Sequence, residues 1–363
     1  MEVQIGRDVP MNELMLQDSL EDIMDTVHQL NSQGAINSRD HMGSTPLHIA
    51  AKCGNVEMVE KLLESGASVI VEDLYGYQPL HVASIHGNVK IVQLLLNKGC
   101  NIDKNSAAKL TPLHCASQKG KPDIVSLLLQ RGASIDPQNS YGQTPLMLAI
   151  SEGHEEVVKL LVDAGSDLNL RDKSTLSVFH HAVNKGSPKC LQILLAKVEK
   201  GQMLDHTNIH GLSPFQLALT KFVNQPENHN ELIEKLKMFI KAGASPKLAD
   251  RPRTFHMMKS PSVFEKLVVS GNMDVVSLIL QTNTWQNIHK EVDRVFTSLK
   301  GGDIQSASKD MAGLLLHYLS STPSLQHLCR MAIISNIEPG YHSICQLPLP
   351  QNLKNYLQFS DLD

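Results

Sequence analysis

One spacing constrains this chain more than its composition does. The tetrapeptide Thr45-Pro46-Leu47-His48 returns as Gln78-Pro79-Leu80-His81, Thr111-Pro112-Leu113-His114 and Thr144-Pro145-Leu146-Met147. A degraded copy follows at Ser177-Val178-Phe179-His180, so the copies begin at 45, 78, 111, 144 and 177, always 33 apart. Two more, Ser213-Pro214-Phe215-Gln216 and Ser262-Val263-Phe264-Glu265, are displaced by insertions. A fixed period of this size means a row of like units, none of which buries its apolar face alone. Stability must then come from stacking neighbours.

Each position has a physical job. Thr45 suits a helix N-cap, and Pro46 suits the first helical position, where no N–H is needed. Leu47, Ile49 and Ala50 begin an apolar face, and Ala50 and Ala83 allow close helix contact. Gly54, Gly87, Gly120, Gly153, Gly186 and Gly271 fall where this first helix ends, where glycine takes a left-handed conformation most cheaply. A second helix follows on Val59, Leu62 and Leu63, or on Ile91-Val92 and Leu94-Leu95-Leu96 in the next copy. Gly66, Gly99, Gly132 and Gly165 stop it. His48, His81, His114 and His180 are spread evenly along such a stack. They are expected to hydrogen-bond neighbouring backbone rather than to gather round a metal.

A period of 33 with T-P-L-H-x-A resembles the ankyrin repeat, over roughly residues 18–280. The resemblance implies loops that project to one side as fingers. Their tips would carry His41 and Met42; Leu74, Tyr75 and Tyr77; Ala107 and Leu110; Tyr141; and Leu176. The matching inner-helix positions are Lys52 and Cys53, Ile85 and His86, Gln118 and Lys119, Ser151 and Glu152. In ankyrin proteins these tips and inner helices form the partner-binding surface. Met42, Tyr75, Tyr77, Ile85, His86 and Tyr141 are therefore the expected target-binding residues, since clustered exposed apolar groups mark binding sites. Leu74 and Leu110 have the alternative of packing on neighbouring loops.

The regular phase fails after residue 186. Extra residues enter near Ala196 to Gly201, a polar loop at Asn224 to Asn230 divides the sixth unit, and its exit at Ala244 to Pro261 is lengthened. Such insertions are either functional or tolerated surface loops. Gly271 to Val276 echoes Gly54 to Val59, so a seventh unit recovers the pattern. At the other end, Leu20, Ile23, Met24, Val27 and Leu30 have helical spacing and predict half a unit that caps the stack. Beyond the repeats, Trp285, Ile288, Val292, Val295 and Leu299 form one apolar stripe, and Met311, Leu314, Leu315, Tyr318 and Leu319 another, with Thr322-Pro323 closing the segment.

The last segment reads Ser324-Leu325-Gln326-His327-Leu328-Cys329, then Ile333, and later Ile344-Cys345-Gln346-Leu347-Pro348-Leu349-Pro350, Leu353 and Tyr356-Leu357. Residues 325, 329 and 333 are four apart and share one helical face. Cys329 serves there as a small hydrophobe. Pro348 and Pro350 hold an extended, exposed segment. A self-contained helical cap is the alternative reading. This segment resembles a SOCS box, with one departure at Ile334, where many members carry Arg. The resemblance implies elongin binding by Leu325, Leu328, Cys329 and Ile333, and cullin binding by Ile344, Leu347, Pro348, Leu349, Pro350 and Tyr356.

The expected fold class is thus all-α: an ankyrin-repeat solenoid followed by a small helical C-terminal SOCS box. The expected division is a leader at 1–17, ankyrin repeats at 18–280, a helical cap or linker at 281–320 and the box at 321–363. The combination resembles the ankyrin repeat and SOCS box family. It implies a non-catalytic substrate-receptor subunit of a cullin–RING ubiquitin ligase, with elongin C, elongin B, a cullin of the cullin-5 type and its RING protein, and a protein target as partners. A binding or sequestering scaffold without ligase role is the alternative, separable by a pull-down for elongin C.

Composition supports this by what it excludes. A net charge of −4 without a basic tract argues against nucleic acid as main partner. No run of about 18 apolar residues predicts a membrane span, and Met1 to Met15 has no signal-peptide core. The six cysteines form no C-x-x-C pair, so neither a disulfide framework nor a zinc-organised RING is expected. No P-loop, nucleophile elbow or kinase motif is present, and neither metal nor cofactor is expected. A metal-dependent hydrolase built from the 17 histidines is the remaining, weak alternative. The expected compartment is the cytoplasm, with the nucleus as a second option.

Overall fold

In the computed structural model the chain is described over residues 20–198, 203–224 and 229–244. The seventh unit, the two stripes at 285–299 and 311–319 and the whole C-terminal box lie outside these residues. Among the described residues there are α-helices and no strands, with an isolated bridge between Arg171 and Ser177. The chain divides after Lys197 into two compact units.

The first unit opens with α1 (Leu20–Ser32) and continues as five helix pairs. They are α2 (Pro46–Cys53) with α3 (Val56–Glu64), α4 (Pro79–His86) with α5 (Val89–Asn97), and α6 (Pro112–Gln118) with α7 (Pro122–Gln130). Then come α8 (Pro145–Glu152) with α9 (Glu155–Asp163), and α10 (Val178–Asn184) with α11 (Pro188–Leu195). The first helices of the pairs pack in series as an inner row, α2 to α10. The second helices form an outer row that α1 begins, against α3.

Period becomes packing in a simple way. Leu47, Leu80, Leu113, Leu146 and Phe179 are equivalent, and all are buried. So are Leu62, Leu95, Leu128, Leu161 and Leu194 one helix later. Each such side chain contributes about 1.5–3 kcal/mol on leaving water. Helix starts follow the sequence: Thr111 Oγ1 accepts from the His114 N–H at 3.4 Å, and Thr144 Oγ1 from the Met147 N–H at 3.3 Å.

Three expectations need correction. Gly54, Gly87, Gly120 and Gly153 are left-handed as expected, but Gly186 is not. A Cβ there would lie 2.8 Å from Ala182 Cα and 3.0 Å from Ile150 Cγ2, so this glycine serves close approach between turns. Met24, on the expected apolar stripe of α1, is exposed, while Val27 and Leu30 are buried. A terminal half-unit has a neighbour on one side only. In the second unit, α12 (Pro214–Asn224) and α13 (His229–Lys241) pack on each other. The expected loop at 224–230 is therefore shorter: Asn224 ends one helix, and His229 and Asn230 begin the next.

Candidate functional site

Between successive helix pairs the chain leaves as a finger and returns. Each tip is closed by a short polar side chain that accepts main-chain N–H groups. Asp40 Oδ1 takes Met42 and Ser44 at 2.8 Å each, and Asp73 Oδ1 takes Tyr75 at 2.9 Å and Tyr77 at 2.8 Å. Asn139 Oδ1 takes Tyr141 and Gln143 at 2.9 Å each, and Asp172 Oδ1 takes Ser174 and Leu176 at 2.9 Å each. Ser106 Oγ accepts from Leu110 at 3.1 Å. These five positions, 40, 73, 106, 139 and 172, repeat with the same 33-residue phase and carry short acceptors that favour such turns. That periodic signal was legible in the sequence and was missed.

The fingers are also tied to one another. The N–H groups of Leu74, Ala107, Ser140 and Lys173 donate to the carbonyls of Met42, Tyr75, Ala108 and Tyr141, at 2.9–3.0 Å. At the second tip Gly76 has φ +72, and a Cβ there would lie 2.7 Å from the Ala107 nitrogen. Glycine is needed for both the turn and the contact. The equivalent positions Lys109 and Thr175 keep a left-handed φ of 57 without being glycine.

The framework histidines fasten the fingers to the inner row. His48 Nε2 lies 2.9 Å from the Tyr77 carbonyl, and His114 Nε2 lies 3.0 Å from that of Gln143. His81 Nε2 meets the carbonyls of Lys104 at 2.9 Å and Leu110 at 3.0 Å. Their Nδ1 atoms, and that of His180, accept from the N–H of the residue three before. An accepting Nδ1 and a donating Nε2 define the neutral ring. Burial pushes the pKa of His48 and His81 down, and that of His114 down to about 4, although the carbonyl partners pull the other way.

Unit 4 breaks this scheme, because Met147 replaces the histidine. The fifth finger is held instead from its own side. His181 Nε2 lies 3.1 Å from Asp172 Oδ2, and its Nδ1 lies 3.0 Å from Ser151 Oγ of α8. Burial pushes the Asp172 carboxyl up, but the His181 hydrogen bond and charge and the Leu176 and Ser174 N–H groups outweigh it, so its pKa is lowered. Ser, His and Asp in contact suggest a catalytic triad, but here the carboxylate is occupied in closing a finger. The group is a clamp joining α8, α10 and the fifth finger. Buried thiols are inert too: burial pushes Cys100 up to about 11 and Cys115 up to about 12.

The finger edge exposes Leu74 (67%), Tyr75 (58%), Tyr141 (70%) and Met42 (36%). Leu110 is half-buried, so of the two aliphatics only Leu74 faces outward. Tyr77 differs from expectation. It is half-buried, its ring 5.5 Å from that of His81 and 6.4 Å from that of Tyr75. It supports Tyr75 rather than standing free. On the inner helices His86, Lys52, Cys53, Lys119 and Glu152 are exposed, and Ile85, Gln118 and Ser151 half-buried. The elongin-binding and cullin-binding residues assigned above lie outside the described residues. Among the described residues no helix is long and apolar enough to cross a membrane.

Residues 18–106 and 102–172 match the family model for ankyrin repeats (3 copies), and residues 321–358 match that for the SOCS box. The chain is an ankyrin-repeat protein with a SOCS box. Ankyrin repeat and SOCS box protein 3 of Homo sapiens is 31% identical to it over 97 residues, which cover 26% of this chain. The matched stretch spans only 17% of that relative's length.

Proposed function

We propose that this ankyrin and SOCS-box protein is a substrate-recognition adaptor of an elongin B/C–cullin–RING ubiquitin ligase. The observation that carries the reading is one chain holding both a SOCS-box match at 321–358 and a repeat stack with an exposed aromatic edge. On this reading the adaptor is not itself catalytic. The fingers and inner helices hold the target through Met42, Tyr75, Tyr141, Ile85 and His86, with Tyr77 bracing Tyr75. Leu325, Leu328, Cys329 and Ile333 dock on elongin C, which brings elongin B. Ile344, Leu347 to Pro350 and Tyr356 select a cullin of the cullin-5 type with its RING protein. Assembly would take place in the cytoplasm.

The two halves of the box must then fail separately. Leu325→Ala with Cys329→Phe removes a pocket-filling side chain and overfills a small site. Such changes cost about 2–5 and about 1–3 kcal/mol in packed cores. Loss of elongin C, and of the cullin with it, is the expected result. Pro348→Ala with Pro350→Ala leaves the first face intact, so it keeps elongin C and weakens only the cullin. Co-precipitation from cells reads both partners. If the proline variant loses elongin C as readily, or the first variant retains it, these roles are wrong. A wild-type chain that captures no elongin C is a scaffold without ligase role.

A further inference from the structure

The inner-helix ends of the first three repeats carry a cluster of unpaired lysines around a histidine. Lys52 lies in the last turn of α2, His86 ends α4, and Lys119 caps the C-terminus of α6. Lys121 joins them by folding back over Gly87 in the second repeat. A Cβ at Gly87 would lie 2.9 Å from Lys121 Cδ and 3.4 Å from its Nζ, which sets that ammonium beside His86. Burial, and then the charges of Lys52, Lys121 and Lys119, hold the His86 ring below its ordinary pKa. No carboxylate figures among the charges acting on it. Among the described residues, none of these four side chains has a carboxylate within the 4.0 Å of an ion pair. Elsewhere on the stack some lysines are paired, Lys104 with Glu72 at 2.8 Å, Lys61 with Glu64 at 2.8 Å and Lys197 with Asp163 at 3.1 Å. Others such as Lys98 and Lys159 stand singly among the described residues, so the grouping of Lys52, Lys119 and Lys121 is what sets them apart.

Helix-end electrostatics account for a cation at any one C-terminus. They do not account for the concentration. Unit 4 reverses the sign, with Glu152 at the equivalent position and Glu155 and Glu156 just after it. The positive surface is therefore short and bounded. Neighbouring helices pack about 8–10 Å apart, so three inner helices span about 16–20 Å. An extended chain covers that distance with about five or six residues. A long nucleic-acid backbone would run on into the acidic fourth unit of a chain whose net charge is −4.

We propose that Lys52, Lys119 and Lys121, grouped around His86, form a docking surface for a short acidic peptide segment of the captured protein. This deepens the proposed adaptor function by naming the chemistry of the target, and it rests on the repeats being the target-holding surface.

Fluorescence anisotropy on the full chain tests it. The probe is a labelled peptide of about six alternating aspartates and glutamates between Gly-Ser flanks. It should bind, weaken as salt rises, and lose binding when its acids become asparagine and glutamine. The combined Lys52→Gln, Lys119→Gln and Lys121→Gln variant should weaken it roughly tenfold. Lys98→Gln with Lys159→Gln, on outer helices, should leave it unchanged. Equal binding of the acidic and amide peptides, no binding, or an unaffected triple variant with unchanged melting midpoint overturns the proposal. So does a labelled single-stranded oligonucleotide that binds more tightly than the peptide. Elongin C capture is scored in the same preparations: its loss with peptide binding intact overturns the ligase reading alone.

Discussion

The framework histidines make the stability of the stack depend on pH in one direction. His48, His81 and His114 are held neutral, with Nδ1 accepting and Nε2 donating. Their folded pKa values lie below the unfolded value of about 6.5. Stability is therefore full above that value and is lost as pH falls toward the folded pKa, about 4 for His114. For His114 alone the loss amounts to about 3 kcal/mol. Urea melts at about pH 7.5 and about pH 4.5 should show it, and His114→Met, which copies unit 4, should lower stability overall but flatten the pH dependence. Equal midpoints at both pH values in the parent would contradict this account. Thr175 is a second residue-scale case. It holds φ +57, and its Oγ1 is buried without a partner among the described residues. Thr175→Gly relieves both and should stabilise by about 1 kcal/mol. A lowered denaturation midpoint would show that the hydroxyl or the β-branch helps the finger.

At the scale of elements, the fingers act as one edge because each is bonded to the next. The rungs from Leu74, Ala107, Ser140 and Lys173 set the spacing of Met42, Tyr75 and Tyr141 along that edge. Rigid aromatic anchors lose little freedom on binding, so they carry a large share of interface energy. Tyr75→Ala and Tyr141→Ala should each cost target capture about 2 kcal/mol, without shifting the melting midpoint, because both rings are exposed. Proximity labelling in cells that returns every interactor with both variants would exclude the edge as the capture surface. Tyr77→Ala should behave differently, lowering stability as well, since its ring packs on His81.

Across the whole molecule, a stack in which units touch only their neighbours separates holding from recruiting. On the proposed adaptor reading, removing residues 321–363 should abolish capture of elongin C and leave the target bound by the repeats. Immunoprecipitation of the truncated and full chains, followed by blotting for both, measures this. Loss of the target along with elongin C would mean that the box contributes to target binding.

The sequence by itself determined the period, the helix starts and the fold class, because a repeating unit writes a polar cap and the same apolar positions five times over and the same glycine stops four times. It also contained the tip acceptors at 40, 73, 106, 139 and 172, which share that phase. The places where the copies differ were decided only in three dimensions. Gly186 looks like a left-handed helix-ending glycine and is instead a contact glycine, since Ala182 of its own repeat and Ile150 of the preceding one occupy the space of its missing Cβ. Tyr75 and Tyr77 are alike in sequence, yet one is exposed and the other rests on His81. The loss of a histidine at Met147 is answered by Ser151, His181 and Asp172, drawn from positions far apart in the chain. The positive surface needs Lys121 to fold over Gly87. Periodicity reports what each unit shares, whereas contacts between units depend on side chains whose separation in sequence carries no local signal.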